Sequence, residues 1–81
     1  VEDRSSIEEE PDYTVHEVHA AIAELNDGYR VVLSLYLFED LSHRDIATKL
    51  GISEGTSKSQ YSRAKKKLIE IIIRKRQYHA R

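Results

Sequence analysis

Apolar residues recur along this chain at the three- and four-residue spacing of amphipathic helices, and no segment alternates convincingly with period two. Thr14 and Glu17 form the T-x-x-E pattern of a capping box and predict the start of a first helix. That helix is expected to run for about three turns, with one apolar stripe formed by Val15, Val18, Ile22 and Leu25. The pattern therefore predicts helices and no sheet.

Two further helices are expected between residues 29 and 50. The tripeptide Asn26-Asp27-Gly28 is expected to break the first helix, and a second helix is predicted over about residues 29–38. Its apolar residues fall on two sides, which indicates a central helix with neighbours on more than one face. A third helix is predicted over residues 43–50, with Ser42 as its N-cap.

Residues 42–67 have the pattern of a helix-turn-helix. Gly51 stands where the third helix must end, at a position that favours a residue free to adopt positive φ. Ala47 is small enough for two helices to cross closely, and Ser53 is placed to cap a fourth helix that runs to about Arg74. The inner stripe of this fourth helix is predicted to be Ser57, Tyr61, Ala64, Leu68 and Ile71 or Ile72.

Charge is strongly segregated along the 81 residues, although the formal net charge is only −1. Residues 1–27 carry nine acidic side chains and one basic, whereas residues 53–81 carry nine basic and two acidic. We therefore expect an acidic flexible arm over residues 1–12, a domain over residues 13–76 and a tail over residues 77–81. The predicted fold is a small all-α domain of four to five helices with a helix-turn-helix and no wing.

The outward face of the fourth helix offers the residues that duplex DNA requires. Base edges are within reach of its N-terminal half, where the candidates are Lys58, Ser59, Ser62 and Arg63, with Gln60 able to contact a base or a phosphate. Gly55 allows close approach of the backbone. Phosphates are the expected partners of Lys65, Lys66, Lys67, Arg44, Lys49 and the backbone N–H groups from Ser53 to Thr56. The alternative for each is an ordinary solvated side chain.

Nothing in the sequence indicates catalysis or a cofactor. His16 and His19 are separated by two residues, whereas a zincin motif needs three so that both ligands share a helix face. His43 and His79 have no evident partners. The absence of cysteine excludes disulfides and thiolate metal sites, and no signal peptide or membrane span is evident, so we expect a cytoplasmic non-enzyme without metal or cofactor.

Residues 25–68 resemble the C-terminal (region 4) domain of extracytoplasmic-function sigma factors of bacterial RNA polymerase. The resemblance is carried by Gly28-Tyr29-Arg30, by Ile46-Ala47, by LGISEGT over residues 50–56 and by Ser62-Arg63-Ala64. It implies recognition of the promoter −35 element, docking on the flap of the polymerase β subunit, and an anti-sigma factor as negative partner. Two positions depart from the family: Ser57 stands where Val is common, and Tyr61 where Leu is common.

Two other functions fit the same pattern. A helix-turn-helix output domain of a response regulator or quorum-type activator has a similar arrangement, but usually dimerises, whereas this chain is expected to be a monomer. A protein-interaction module would instead expose Ile69 and residues 71–73 as an apolar patch. If the protein is not such a module, we expect this end of the fourth helix to pack on the apolar stripe of the first helix and so to be buried.

Overall fold

The computed structural model describes residues 13–79, with the side chain of residue 79 excepted. This part of the chain contains four helices and no strand, which confirms the predicted all-α fold. The helices are α1 (Val15–Ile22), α2 (Asp27–Leu37), α3 (His43–Leu50) and α4 (Glu54–His79). The long helix α4 packs against each of the other three. The acidic arm predicted for residues 1–12 lies outside the described residues.

The predicted helix starts are supported by side-chain caps. Thr14 Oγ1 accepts a hydrogen bond from the Glu17 N–H at 3.0 Å, and Glu17 Oε1 accepts one from the Thr14 N–H at 3.0 Å, so the capping box is complete. Ser42 Oγ accepts from the Asp45 N–H at 3.1 Å at the start of α3. These bonds satisfy amides that no helical carbonyl can reach.

The region from α1 to α2 differs from the prediction in two ways. Helix α1 has only eight residues, so Leu25 is buried in the connection after the helix rather than on it, and Val15 is 71% exposed because only the second half of α1 packs on the core. Asn26 does not simply break a helix. Asn26 is the N-cap of α2, because its side chain accepts a hydrogen bond from the Tyr29 N–H at 2.9 Å. Helix α2 therefore begins at Asp27.

The core is built around the inner stripe of α4 that the sequence predicted. Its members are all buried: Ser57, Tyr61, Ala64, Leu68, Ile71 and Ile72. All of these except Ser57 belong to one hydrophobic cluster with Leu33 and Leu35 of α2, Ile46 of α3 and the end of α1. The apolar patch considered at Ile69 and residues 71–73 is therefore mostly covered, since Ile73, at 43%, is the one isoleucine of the four that is exposed.

Helix α4 continues to His79, past its predicted end near Arg74. Neither Gly nor Pro follows Arg74 to stop it. Two ion pairs join this last part to α1 and to the connection after α1: Arg76 with Glu17 of α1 at 2.6 Å, and Lys75 with Glu24 of the connection at 2.6 Å. The hydrogen bond from Arg76, and then that from the Thr14 N–H, lower the pKa of Glu17 to about 2. The hydrogen bond from Lys75 likewise lowers the pKa of Glu24. Helix α1 is thereby fixed against the far end of α4.

Candidate nucleic-acid interface

The turn between α3 and α4 determines how α4 is presented. Gly51 adopts φ 70° and ψ 34°, the left-handed conformation that glycine accepts without steric cost. The Ile52 N–H donates to the Ala47 carbonyl at 3.0 Å, as in a Schellman motif. Ser53 Oγ then accepts from the Thr56 N–H at 2.9 Å and caps α4. One helix thus ends and the next begins within three residues, which is the geometry of a helix-turn-helix.

The first three turns of α4 have distinct inner and outer faces. Ser57, Tyr61 and Ala64 point into the core, whereas the side chains between them are turned away from it. The candidate residues that are exposed are Arg44, Lys49, Ser53, Gly55, Thr56, Lys58, Ser59, Ser62, Arg63, Lys66 and Lys67. Gln60 and Lys65 are half-buried and lie at the edge of the outer face. The structure therefore brings the candidates of α4 together on one side of this helix.

At the N-terminus of α4, one group caps the helix and other groups are left to contact a ligand. The Ser53 hydroxyl is engaged by Thr56, because it accepts from the Thr56 N–H and donates to Thr56 Oγ1 at 2.8 Å. The amides of Glu54 and Gly55 precede Thr56 at the helix start, where N–H groups point out along the axis. A Cβ added to Gly55 would meet only Ser53 Oγ, at 3.8 Å, which is ordinary contact. The fold itself therefore tolerates a side chain at this position.

Two ion pairs on α4 involve candidate residues. Lys58 Nζ lies 3.8 Å from Glu54 Oε2 in the leading turns, and Lys67 Nζ lies 3.7 Å from Glu70 Oε1 further along. All four side chains are more than half exposed, so these pairs contribute little to stability. Each pair places a carboxylate beside a candidate lysine.

His43 has partners that the sequence did not reveal, so the expectation that it had none is wrong. Its Nδ1 lies 2.9 Å from the Oγ of Ser57, which is fully buried on α4. Its ring stacks on Tyr36 of α2 with centroids 4.7 Å apart, and meets Tyr61 edge-on at 5.5 Å. Three helices therefore meet at this imidazole, at the start of α3. A buried Ser in an otherwise apolar stripe was the one signal that a polar partner lay nearby.

A separate apolar surface lies on α2 and on its C-cap residue, Phe38. Val31 and Phe38 are seven residues apart and therefore share a helix face, and both are exposed together with Leu37. The ring of His19 on α1 stacks on Phe38 with centroids 4.7 Å apart and planes 2° from parallel. This surface, hereafter the α2 patch, consists of Val31, Leu37 and Phe38, and none of these residues belongs to α3 or α4.

A comparison with protein families places this geometry in context. A family model described as sigma-70, region 4 matches residues 16–68, which extend from α1 through the turn and into α4. Comparisons with curated proteins and with solved structures gave no significant match. Among residues 13–79, no helix has the length and apolar character needed to cross a bilayer.

Proposed function

Because this chain belongs to the sigma-70 region 4 family, whose domains bind promoter DNA and RNA polymerase, we propose that it inserts the leading turns of α4 into the major groove of a −35 element. The observation that carries the proposal is the division of α4 into a buried stripe and a polar outer face directly after Gly51. The resemblance to the extracytoplasmic-function class favours that class of sigma factor.

The proposed base contacts come from one face of two helical turns. Lys58, Ser59, Ser62 and Arg63 are all exposed there and include two cations and two hydroxyls. Lysine and arginine pair with guanine O6 and N7, and serine accepts or donates with any base. Arg63 is the best candidate, because its planar donors are able to bind guanine at two atoms.

The proposed phosphate contacts surround these residues. Lys65, Lys66 and Lys67 lie further along α4, while Arg44 and Lys49 lie on α3 across the turn. Such contacts position the helix without reading sequence. Gly55 supports this arrangement, since the fold does not require glycine there and a bare backbone allows a phosphate to approach the helix start.

For the polymerase contact we propose that the α2 patch docks on the flap of the β subunit. Its apolar side chains are exposed and lie outside α3 and α4, so DNA and protein would occupy different elements. Phe38→Asp should abolish capture by a flap peptide and leave duplex affinity unchanged. Loss of both activities together would contradict separate surfaces. We further propose that this domain is a cytoplasmic monomer and that an anti-sigma factor is its negative regulator.

The decisive experiment is selection of bound duplexes from a random pool, followed by titration at several salt concentrations. We expect one enriched motif. If about five phosphates are neutralised, log K falls against log salt with a slope of about −4 to −5. Failure to enrich any sequence, together with a flat salt dependence, would refute DNA binding. Enrichment of paired half-sites bound by a dimer would instead favour an output domain of the response-regulator type.

A further inference from the structure

The leading turns of α4 are held against the rest of the domain mainly through one side chain, that of Ser57. Among residues 54–60, all of which lie in the described part of the chain, Ser57 is the one that is buried, and the others are exposed or half-buried. The hydrophobic cluster does not include Ser57, and its first member on α4 is Tyr61, one turn later. The rotation of these turns about the helix axis therefore depends on what Ser57 contacts.

Ser57 is bonded to the first residue of α3. Its Oγ lies 2.9 Å from Nδ1 of His43, whose ring contacts those of Tyr36 and Tyr61. These two tyrosine rings also contact each other, with centroids 4.5 Å apart. A hydrogen bond depends on angle as well as on distance, and so resists rotation more than apolar contact does. Because the turn at Gly51 joins the other end of α3 to α4, helix α3 is fixed to α4 at both ends.

A small rotation of α4 would move the residues that are proposed to contact bases. Ser59 lies roughly 200° round the helix from Ser57, and Ser62 roughly 140°, so both are on the opposite side. Side chains reach about 5–6 Å from the axis of a helix, so a rotation of about 15° displaces their ends by about 1.5 Å. Hydrogen bonds to base edges span only about 2.7–3.2 Å. Reading bases therefore requires that α4 is held against such a rotation.

We propose that His43 and Ser57 are positioning residues, whose hydrogen bond fixes the rotation of the leading turns of α4 and so sharpens discrimination between bases. The inference rests on the proposed function and adds to it two residues that do not themselves contact DNA. His43 directly precedes Arg44, a proposed phosphate contact, and Ser57 directly precedes Lys58, a proposed base contact. The bond therefore ties the helix that grips the backbone to the helix that reads the bases.

A positioning role and a purely structural role predict different binding data. Unfolding reduces the competent fraction of the protein and weakens binding to every duplex by the same factor, so the ratio of affinities for two duplexes does not change. A rotated α4 instead weakens the preferred sequence more than the others, because only the preferred sequence makes all of its base contacts. The ratio of affinities is therefore the quantity to measure.

The experiment measures dissociation constants for the selected duplex and for its single-base variants, well below the Tm of each protein. His43→Phe retains a ring but has no nitrogen, whereas His43→Asn removes the ring but retains a polar amide on Cγ, where Nδ1 is attached in histidine. For His43→Phe we expect discrimination to fall by about three- to tenfold, as for a weakened base contact. His43→Asn should keep the wild-type discrimination, although the loss of its ring contacts makes it less stable.

Two further variants complete the comparison. Ser57→Ala removes the same hydrogen bond from the α4 side and leaves His43 in place, so it should lose discrimination as His43→Phe does. It also supplies the result if His43→Phe does not fold. Ile72→Val is the matched control, because residue 72 is 1% exposed and lies in the far half of α4. Loss of its methyl group lowers stability without a change in the leading turns, so the wild-type discrimination should remain.

The outcomes separate the inference from its premise. If the wild-type chain enriches no motif, the proposed function fails and the inference fails with it. If the wild-type chain enriches a motif and Ser57→Ala discriminates as the wild type does, the inference alone is overturned. Equal loss in His43→Phe and His43→Asn would also overturn it, because the ring and not the hydrogen bond would then be responsible. Equal loss in Ile72→Val would overturn it as well, since general destabilisation would then suffice.

Discussion

Replacing His43 with phenylalanine should destabilise the domain through Ser57, a residue fourteen positions away. Ser57 is 0% exposed, and its Oγ lies 2.9 Å from His43 Nδ1. Phenylalanine preserves a ring that stacks on Tyr36 at 4.7 Å, but it has no nitrogen to bond the hydroxyl. The Ser57 hydroxyl would be left buried without this partner, which costs about 1–3 kcal/mol of unfolding free energy.

Replacing the other partner, in Ser57→Ala, should lower the free energy of unfolding by much less. In Ser57→Ala the His43 nitrogen loses its partner, but the half-buried ring can be rehydrated, and alanine is the better helix former by about 0.5 kcal/mol. The double variant His43→Phe/Ser57→Ala removes the buried hydroxyl together with its imidazole partner. We therefore expect it to be more stable than His43→Phe by about 1 kcal/mol or more.

Urea unfolding at constant m-value measures these differences directly. In a thermal scan, each kcal/mol corresponds to a fall of about 4–8 °C in Tm for a domain of this size. Strictly additive effects, with no recovery when Ser57→Ala is added to His43→Phe, would refute the reasoning. The hydrogen bond between His43 and Ser57 would then have no role in holding α3 against α4.

Three further results are expected. Arg63→Ala should reduce discrimination between promoter variants, whereas Lys66→Ala should weaken all duplexes alike in competition binding; equal loss for every sequence with Arg63→Ala would remove its assigned role. Gly51→Ala should cost about 1–2 kcal/mol in urea unfolding because φ is 70°, and Gly51→Asn should cost less; equal stability for all three proteins would contradict the strain argument. Glu17→Gln should keep the capping box but lose the charge that pairs with Arg76. The folded-state pKa of Glu17, about 2, lies below its ordinary 4.5. Its stabilisation is therefore present above about pH 4.5 and lost as pH falls toward 2, so the stability gap between variant and wild type should close over that window.

The features that the sequence predicted well are those encoded by neighbouring residues. Helix α3 was predicted with its observed bounds, because Ser42 caps its start and Gly51 ends it in the left-handed conformation. The buried stripe of α4 followed from spacing alone, even though it contains Ser57 and Tyr61 in place of more usual apolar residues. Local signals of this kind are sufficient for a helix-turn-helix.

The features that could not be predicted from the sequence are those that depend on contacts between distant segments. The exposure of Val15 follows from where α1 crosses α4, and the extension of α4 to His79 depends on pairs such as Lys75 with Glu24. His43 acquires its role only because the fold brings it within 2.9 Å of Ser57. Spacing within one helix contains no information about such partners.

The central claim is that the outer face of the leading turns of α4 meets duplex DNA. Amide chemical-shift mapping tests it residue by residue, since a 9.4 kDa chain is well suited to NMR. On titration with the selected duplex, we expect the largest shifts at Gly55, Lys58, Ser59, Ser62 and Arg63, with smaller ones at Arg44 and Lys49. Shifts confined to the α2 patch and α1, with the leading turns of α4 unmoved, would contradict the account.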